Sequence, residues 1–186
     1  PLPEGLAPPE AAPEPELEQV APPPQTGGAL VVLHDRYFID PGAPLPQLDS
    51  PSAKAYAVED RRDLSQKLYA LICTPGLPTR IEVMMSIRAE ELEGIIPLAE
   101  RDTVDWPLLG ETSMALIHDR PKGDRIMDAI ENGSHNLNEY EFPRRIMDPL
   151  VRAVKSMSTL NLPHRAIRPS NVFFMDEAMQ EVVLGD

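Results

Sequence analysis

The sequence predicts an α+β fold: a small antiparallel sheet carrying one helix, then a long helix that delivers a loop and a pair of short strands. Three observations lead there. Short apolar runs bounded by turn residues recur between Leu30 and His118, as strands require. Phe142, Ile146, Leu150, Val154, Met157 and Leu160 then follow at steps of four and three, one apolar stripe on a helix. Finally, Val172-Phe173-Phe174 and Val182-Val183-Leu184 read as two strands joined by a hairpin at Met175-Asp176-Glu177.

Residues 1–28 hold prolines at 1, 3, 8, 9, 13, 15, 22, 23 and 24, five acids and no Lys or Arg. Such a segment cannot bury enough apolar area to offset its ordering entropy, so it is expected to be a disordered or polyproline-II linker. Pro22-Pro23-Pro24 could also serve a proline-reading module, but a spacer is the simpler expectation. Strands are expected at Leu30–Leu33 and Arg36–Ile39, the second ended by Asp40-Pro41-Gly42. A further pair is expected at Ala55–Val58 and Leu68–Ile72, with Glu59–Asp63 as a charged, solvated connection. Two more follow at Gly94–Leu98 and Met114–His118, joined through Trp106-Pro107 and Gly110.

Between Thr79 and Leu92, apolar Ile81, Met84, Met85, Ile87 and Leu92 suit one short helix with Glu82 on its polar side. Asn138, with Glu141 three residues on, is a capping-box variant opening the long helix. Pro149 lacks an N–H and crowds the carbonyl of Arg145, so a kink or restart with Asp148 as cap is expected, and an end by Asn161-Leu162-Pro163. That helix should bury its stripe against segments beyond residue 186, leaving this chain alone with exposed apolar surface.

Composition narrows function. Seventeen basic against 30 acidic residues give a net charge of −13, which argues against binding nucleic acid or an anionic membrane. No apolar stretch spans a bilayer and no signal-peptide pattern is present, which makes a cytoplasmic location the expectation. Cys73 alone excludes an internal disulfide and reads as a small buried hydrophobe.

The densest information lies in His164-Arg165-Ala166-Ile167-Arg168-Pro169-Ser170-Asn171, followed by the two strands and Gly185-Asp186. This run resembles the catalytic loop of protein kinases, H-R-D-x-x-P-x-N in its core positions, leading to the aspartate of D-F-G. The resemblance covers roughly residues 29–186. It implies a kinase-like amino-terminal lobe at 29–121 and a partial carboxy-terminal lobe at 122–186. Because 186 residues are too few for a complete kinase, and the chain begins with Pro1 and stops at Asp186, a cut through a longer protein is expected.

His164, Arg165 and Pro169 match the structural residues of the loop, and Arg168 stands where the family has lysine. Asn171 and Asp186 stand where kinases hold magnesium, and oxygen ligands suit that hard cation. Ala166 occupies the position of the aspartate that accepts the substrate's proton, a loss of general-base catalysis typically worth about 10²–10⁴-fold. Ser170 is too weakly basic to replace it. The strand lysine that contacts phosphates would fall at Ile72, or at Cys73 with a one-residue slip, with Lys67 the nearest cation. Glu82 would be that lysine's helix partner. Where a glycine-rich phosphate cradle belongs, Asp40 to Pro51 contains one glycine and four prolines. Prolines have no amide to offer phosphate.

The resemblance therefore implies a pseudokinase that regulates or scaffolds through a protein partner, with ATP and magnesium bound weakly at most. One alternative is a divergent but active serine/threonine kinase using ATP and magnesium. The other is an α+β interaction domain unrelated to kinases.

Overall fold

The computed structural model describes residues 29–77, 92–133, 138–164 and 166–185. The expected linker at 1–28, most of the helix expected at 79–92 with its Glu82, and Arg165 and Asp186 lie outside the described residues.

Six strands form one antiparallel sheet: β1 (Val31–Leu33), β2 (Tyr37–Pro44), β3 (Ala53–Asp60), β4 (Leu68–Cys73), β5 (Leu98–Trp106) and β6 (Glu111–Asp119). Their spatial order is β1-β2-β3-β4-β6-β5. The turn between β1 and β2 places His34 and Asp35 at φ of 52° and 53°, the left-handed pair that matches the twist of a tight hairpin. From there His34 reaches Asp102 on β5 at 2.8 Å, so the sheet curls until its two edge strands touch. Inside the curl lies one core, in which Ile39, Leu68, Ala70, Ile72 and Ile117 surround Tyr56 and Trp106.

Central strand β4 is buried along its whole length and so divides two cores by simple alternation. Leu68, Ala70 and Ile72 face into the curl, whereas Tyr69, Leu71 and Cys73 face the helical part of the molecule. Cys73 is a buried free thiol, as expected.

Three strand expectations are corrected. Asp40-Pro41-Gly42 does not end β2. The Asp40 side chain takes the Gly42 amide at 2.8 Å, and the register shifts between Ile39 and Pro44, so the turn is absorbed as a bulge that tolerates prolines. Glu59 and Asp60 belong to the end of β3, with Glu59 exposed and Asp60 buried, while Arg61–Asp63 form the exposed connection expected. Asp60 is 1% exposed and receives Arg36 Nε at 2.9 Å; that hydrogen bond holds its carboxyl below the usual carboxylate range against the opposing effect of burial.

Finally, the fifth strand is Leu98–Trp106, not Gly94–Leu98. Its Glu100-Arg101-Asp102 hid it, because charged side chains on an edge strand erase apolar alternation. The hairpin closes tightly instead, with the Gly110 amide on the Trp106 carbonyl at 2.9 Å.

Residues 94–97 have a different task. Leu184 donates to the Gly94 carbonyl at 2.8 Å and Ile96 donates back to Leu184 at 3.0 Å, tying the sheet to the strand pair β7 (Val172–Phe174) and β8 (Val182–Leu184). Gly94 sits at φ +77°, and a Cβ there would stand 2.9 Å from that of Ala153. Gly94→Ala is therefore expected to cost about 1–3 kcal/mol, read as a lowered urea midpoint.

Helix α1 (Ile126–Glu131), which the sequence reading did not assign, buries Ile126 and Ala129. Asn138 opens the next helical segment as expected, accepting the amides of Tyr140 at 3.0 Å and Glu141 at 2.8 Å. A π-helical turn, Pro143–Met147, then leads into α2 (Asp148–Thr159). Here the expected restart takes another form. Asp148 is helical and makes no side-chain cap; the extra residue of the π turn, with Asp148 donating to Pro143, accommodates the missing Pro149 donor.

The buried stripe runs Ile146, Ala153 and Met157, with Leu150 half-buried and packed on the same core, Val154 also half-buried, and Phe142, Met147 and Val151 exposed. Asn161 at φ 58° and the Leu162 amide on Met157 at 3.0 Å end the helix where expected. The hairpin turn after β7 is longer than expected, closed by Met175 N–H on the Glu181 carbonyl at 2.9 Å. No helix among the described residues is long and apolar enough to cross a membrane.

Candidate functional site

The left-handed residue at the end of α2 turns the chain back beneath the sheet, and the loop that follows is held by its own side chains. His164 is buried; its Nε2 lies 2.8 Å from the Gly185 carbonyl, and its Nδ1 accepts the Ala166 amide at 3.2 Å. That pairing fixes the neutral tautomer with the proton on Nε2, since a carbonyl can only accept. Pro169 opens a 3₁₀ turn, Pro169–Asn171, that its fixed φ suits. Buried Asn171 donates to the carbonyls of Ala166 at 3.1 Å and Gly185 at 3.2 Å, while Gly185 N–H returns to the Asn171 carbonyl at 2.8 Å.

Loop and strand pair thus form one closed network around Ala166. A Cβ at Gly185 would fall 2.6 Å from the Phe173 ring, so only glycine fits between the loop and residue 186. Asn171 spends its amide hydrogens on the backbone and keeps its oxygen as the one group able to face a cation. The other expected magnesium ligand, Asp186, is outside the described residues.

Across from this loop, the sheet presents a cavity of about 230 Å³. Tyr69 and Leu71 of β4 form one wall, Phe173 and Asn171 the other, and residues 48–51 the roof. The strand position matters. Ile72 points to the opposite core and cannot reach this space, while Cys73 lies on the correct side but is a buried thiol. Lys67 is exposed before the strand begins, so it is no substitute.

The roof is also committed. After β2 the chain makes a 3₁₀ turn, Pro46–Leu48, in which Leu45 N–H goes to Ala55, Leu48 to Leu45, Asp49 to Pro46 and Ser50 to Ala53. Those amides are used inside the turn, and Leu48 is buried beneath it. As the prolines suggested, the turn has few backbone donors left for a phosphate chain.

Arg125 is the residue sequence reasoning missed. Standing just before α1, it donates to the Asp49 carbonyl and lies over the Phe173 ring at 5.1 Å, bridging roof and floor. Burial lowers its pKa, nearby Asp128, Tyr69 and Asp49 oppose that, and the charge of Arg168 lowers it further. Arg168, exposed, also lines the cavity. No motif surrounds Arg125, and only the folding of α1 against β7 brings it to the cleft.

No family model and no curated protein matches the sequence. Solved structures do match in three dimensions. The crystal structure of Rad53 1-466 in complex with AMP-PNP superposes with a TM-score of 0.59 at 14% identity, over 75% of this chain and 35% of that one. The autoinhibited serine kinase domain of the giant muscle protein titin gives 0.60 at 17% identity, over 82% and 44%. The chain thus spans less than half the length of either solved chain. These likenesses show the fold: the antiparallel sheet, the helices and the loop with its strand pair are a kinase-like amino-terminal lobe with part of a carboxy-terminal lobe.

Proposed function

We propose that this chain is a pseudokinase, a kinase fold used for regulation or scaffolding through protein contact, with little or no phosphoryl transfer. One observation carries the reading: the loop is hydrogen-bonded on every side, yet its centre holds a methyl group. His164 and Asn171 grip the backbone of Ala166 at 3.2 and 3.1 Å, so the loop is held in place around a side chain that cannot accept a proton. Kinase catalysis consists of positioning and charge neutralisation. Both are weakened further here.

The described residues do not fit a magnesium nucleotide. No described residue of β4 brings a cation to the cleft, the roof has spent its amides, and Tyr69, Leu71 and Phe173 occupy the cleft with bulk. The remaining volume, about 230 Å³, lies below the roughly 300–1,000 Å³ usual for ligand pockets. No step is therefore routed through ATP. Protein contact is favoured by a net charge of −13, which rules against a phosphate backbone as partner.

Radiolabelled ATP with a generic protein substrate tests the reading. No transfer above background is expected, and Ala166→Asp alone should not create it, because cradle and lysine stay absent. Turnover that Asp186→Ala abolishes would show an active enzyme instead.

A further inference from the structure

The cavity under the sheet is short of nucleotide-binding features but holds cationic and hydroxyl donors that the fold does not use. Arg125 Nε and Ser50 Oγ are both buried, both belong to residues lining the cavity, and neither has a hydrogen-bond partner. Buried donors are almost always satisfied, so two orphans on one cavity point to a missing acceptor. Arg168 and Ser170 line the same space from the loop side and are exposed, which leaves them open to an incoming group.

Negative charge at the cavity is already neutralised. Among the described residues Asp49 is its one acidic lining residue, and its carboxylate takes Lys54 Nζ at 2.6 Å and the Ala55 amide at 2.9 Å. Two guanidinium groups are left without a carboxylate partner among the described residues, in a chain whose net charge is −13. Burial lowers the pKa of Arg125, the nearby Asp128, Tyr69 and Asp49 oppose that, and the Arg168 charge adds the smallest effect.

We propose that this cavity is an oxyanion site that takes a phosphate monoester group, gripped by Arg125 and Arg168 with Ser50 and Ser170 as hydroxyl donors. A phosphate monoester fits better than a carboxylate. Its two negative charges match two guanidinium groups, and its three terminal oxygens can accept both forks and the hydroxyls. The volume of about 230 Å³ admits such a group with a short stem but not a folded triphosphate nucleotide. This grip needs neither magnesium nor the lost proton acceptor, so it stands independently of whether the chain transfers phosphate. The stem could belong to a small free metabolite or to a phosphorylated side chain, and the cavity chemistry is common to both.

Isothermal titration calorimetry on the purified chain, without nucleotide or magnesium, tests the site with three probes: inorganic phosphate, free phosphoserine, and a phosphoserine peptide beside its unphosphorylated form. Saturable, salt-sensitive binding of the phosphorylated probes is expected, with the unphosphorylated peptide silent. Arg168→Gln, at an exposed residue the fold does not need, should weaken binding about tenfold or more. Arg125→Gln should do the same, and because it also loosens the roof, Ser50→Ala serves as its gentler companion. Equal affinity for phosphoserine and phosphopeptide assigns the site to free metabolites, and a much tighter peptide assigns it to a partner. Absence of binding, or affinity unchanged by Arg168→Gln, overturns the proposal; a parallel failure of the inactive-enzyme reading would appear only in the ATP assay.

Discussion

Trp106→Ala is expected to be the most damaging single substitution in the sheet, at about 3–5 kcal/mol. Trp106 is 2% exposed at the end of β5, with its ring 4.6 Å from that of Tyr56 on β3. The two rings fill the inside of the curl, where neighbouring strands are held by backbone hydrogen bonds and cannot collapse into the void. Total stabilities of about 5–15 kcal/mol make such a loss close to unfolding. Because Trp106 is the only tryptophan in the chain, its fluorescence reports this core in the parent, and far-UV circular dichroism must be used for the variant. Urea midpoints compared by that signal give the answer. A loss under about 1 kcal/mol would mean that the curled sheet relaxes freely and that the inner core is not close-packed.

The second large effect is a dependence of stability on pH that runs through His118. This residue ends β6 fully buried, stacked on Tyr69 at 5.6 Å between centroids, with Nδ1 3.2 Å from the Pro97 carbonyl and Nε2 unpartnered. Burial pushes its pKa down from 6.5 to about 4, against the backbone carbonyls that favour the charged form. Above about pH 6.5 neither folded nor unfolded chain carries the proton, and the histidine adds no slope. As pH falls from 6.5 toward 4 the unfolded chain takes up a proton that the folded chain refuses, so stability drops, by about 3 kcal/mol at most. Below about 4 the folded form is protonated as well and the loss levels off.

Asp60 contributes with the same sign but at lower pH, since its folded pKa lies below 3.8 and its stabilisation fades only as pH falls through that range. The interval between pH 6.5 and 5 therefore isolates histidine chemistry. Urea midpoints of parent and His118→Gln across that interval should converge as pH falls, the variant having the shallower slope. Parallel slopes would show that His118 is hydrated or already charged in the folded protein.

How far the sequence carried depends on the kind of signal each element used. The first four strands were legible because their apolar runs face a core. Strand β5 was not, because Glu100, Arg101 and Asp102 belong to an edge strand whose solvent face carries charge. Asn138 was readable as a cap, since a short polar side chain before a helix has one common use. Along α2 the predicted Leu150 and Met157 face the core, and Ala153 takes the place expected of Val154 because a small residue lets the Gly94 segment approach the helix closely.

At the site, His164, Pro169 and Asn171 were placed by their fixed offsets, and the structure brings them together around Ala166. Ile72 and Arg125 show the opposite case. Alternation along β4 sends Ile72 to the inner core, and the face of a strand is set by which register pairs with β3 and β6.

What the sequence determined by itself was whatever rests on neighbours within a few residues: the Asn138 cap, the end of α2 at Asn161, the 3₁₀ turn opened by Pro169, and the methyl group at Ala166. Only the tertiary structure decided which side chains share the cleft. Arg125 and Arg168 stand 43 residues apart in the chain, and they meet because α1 and β7 pack into the same core. Such a juxtaposition arises from the burial of apolar surface, which is non-directional and leaves no local pattern at the residues it happens to bring together.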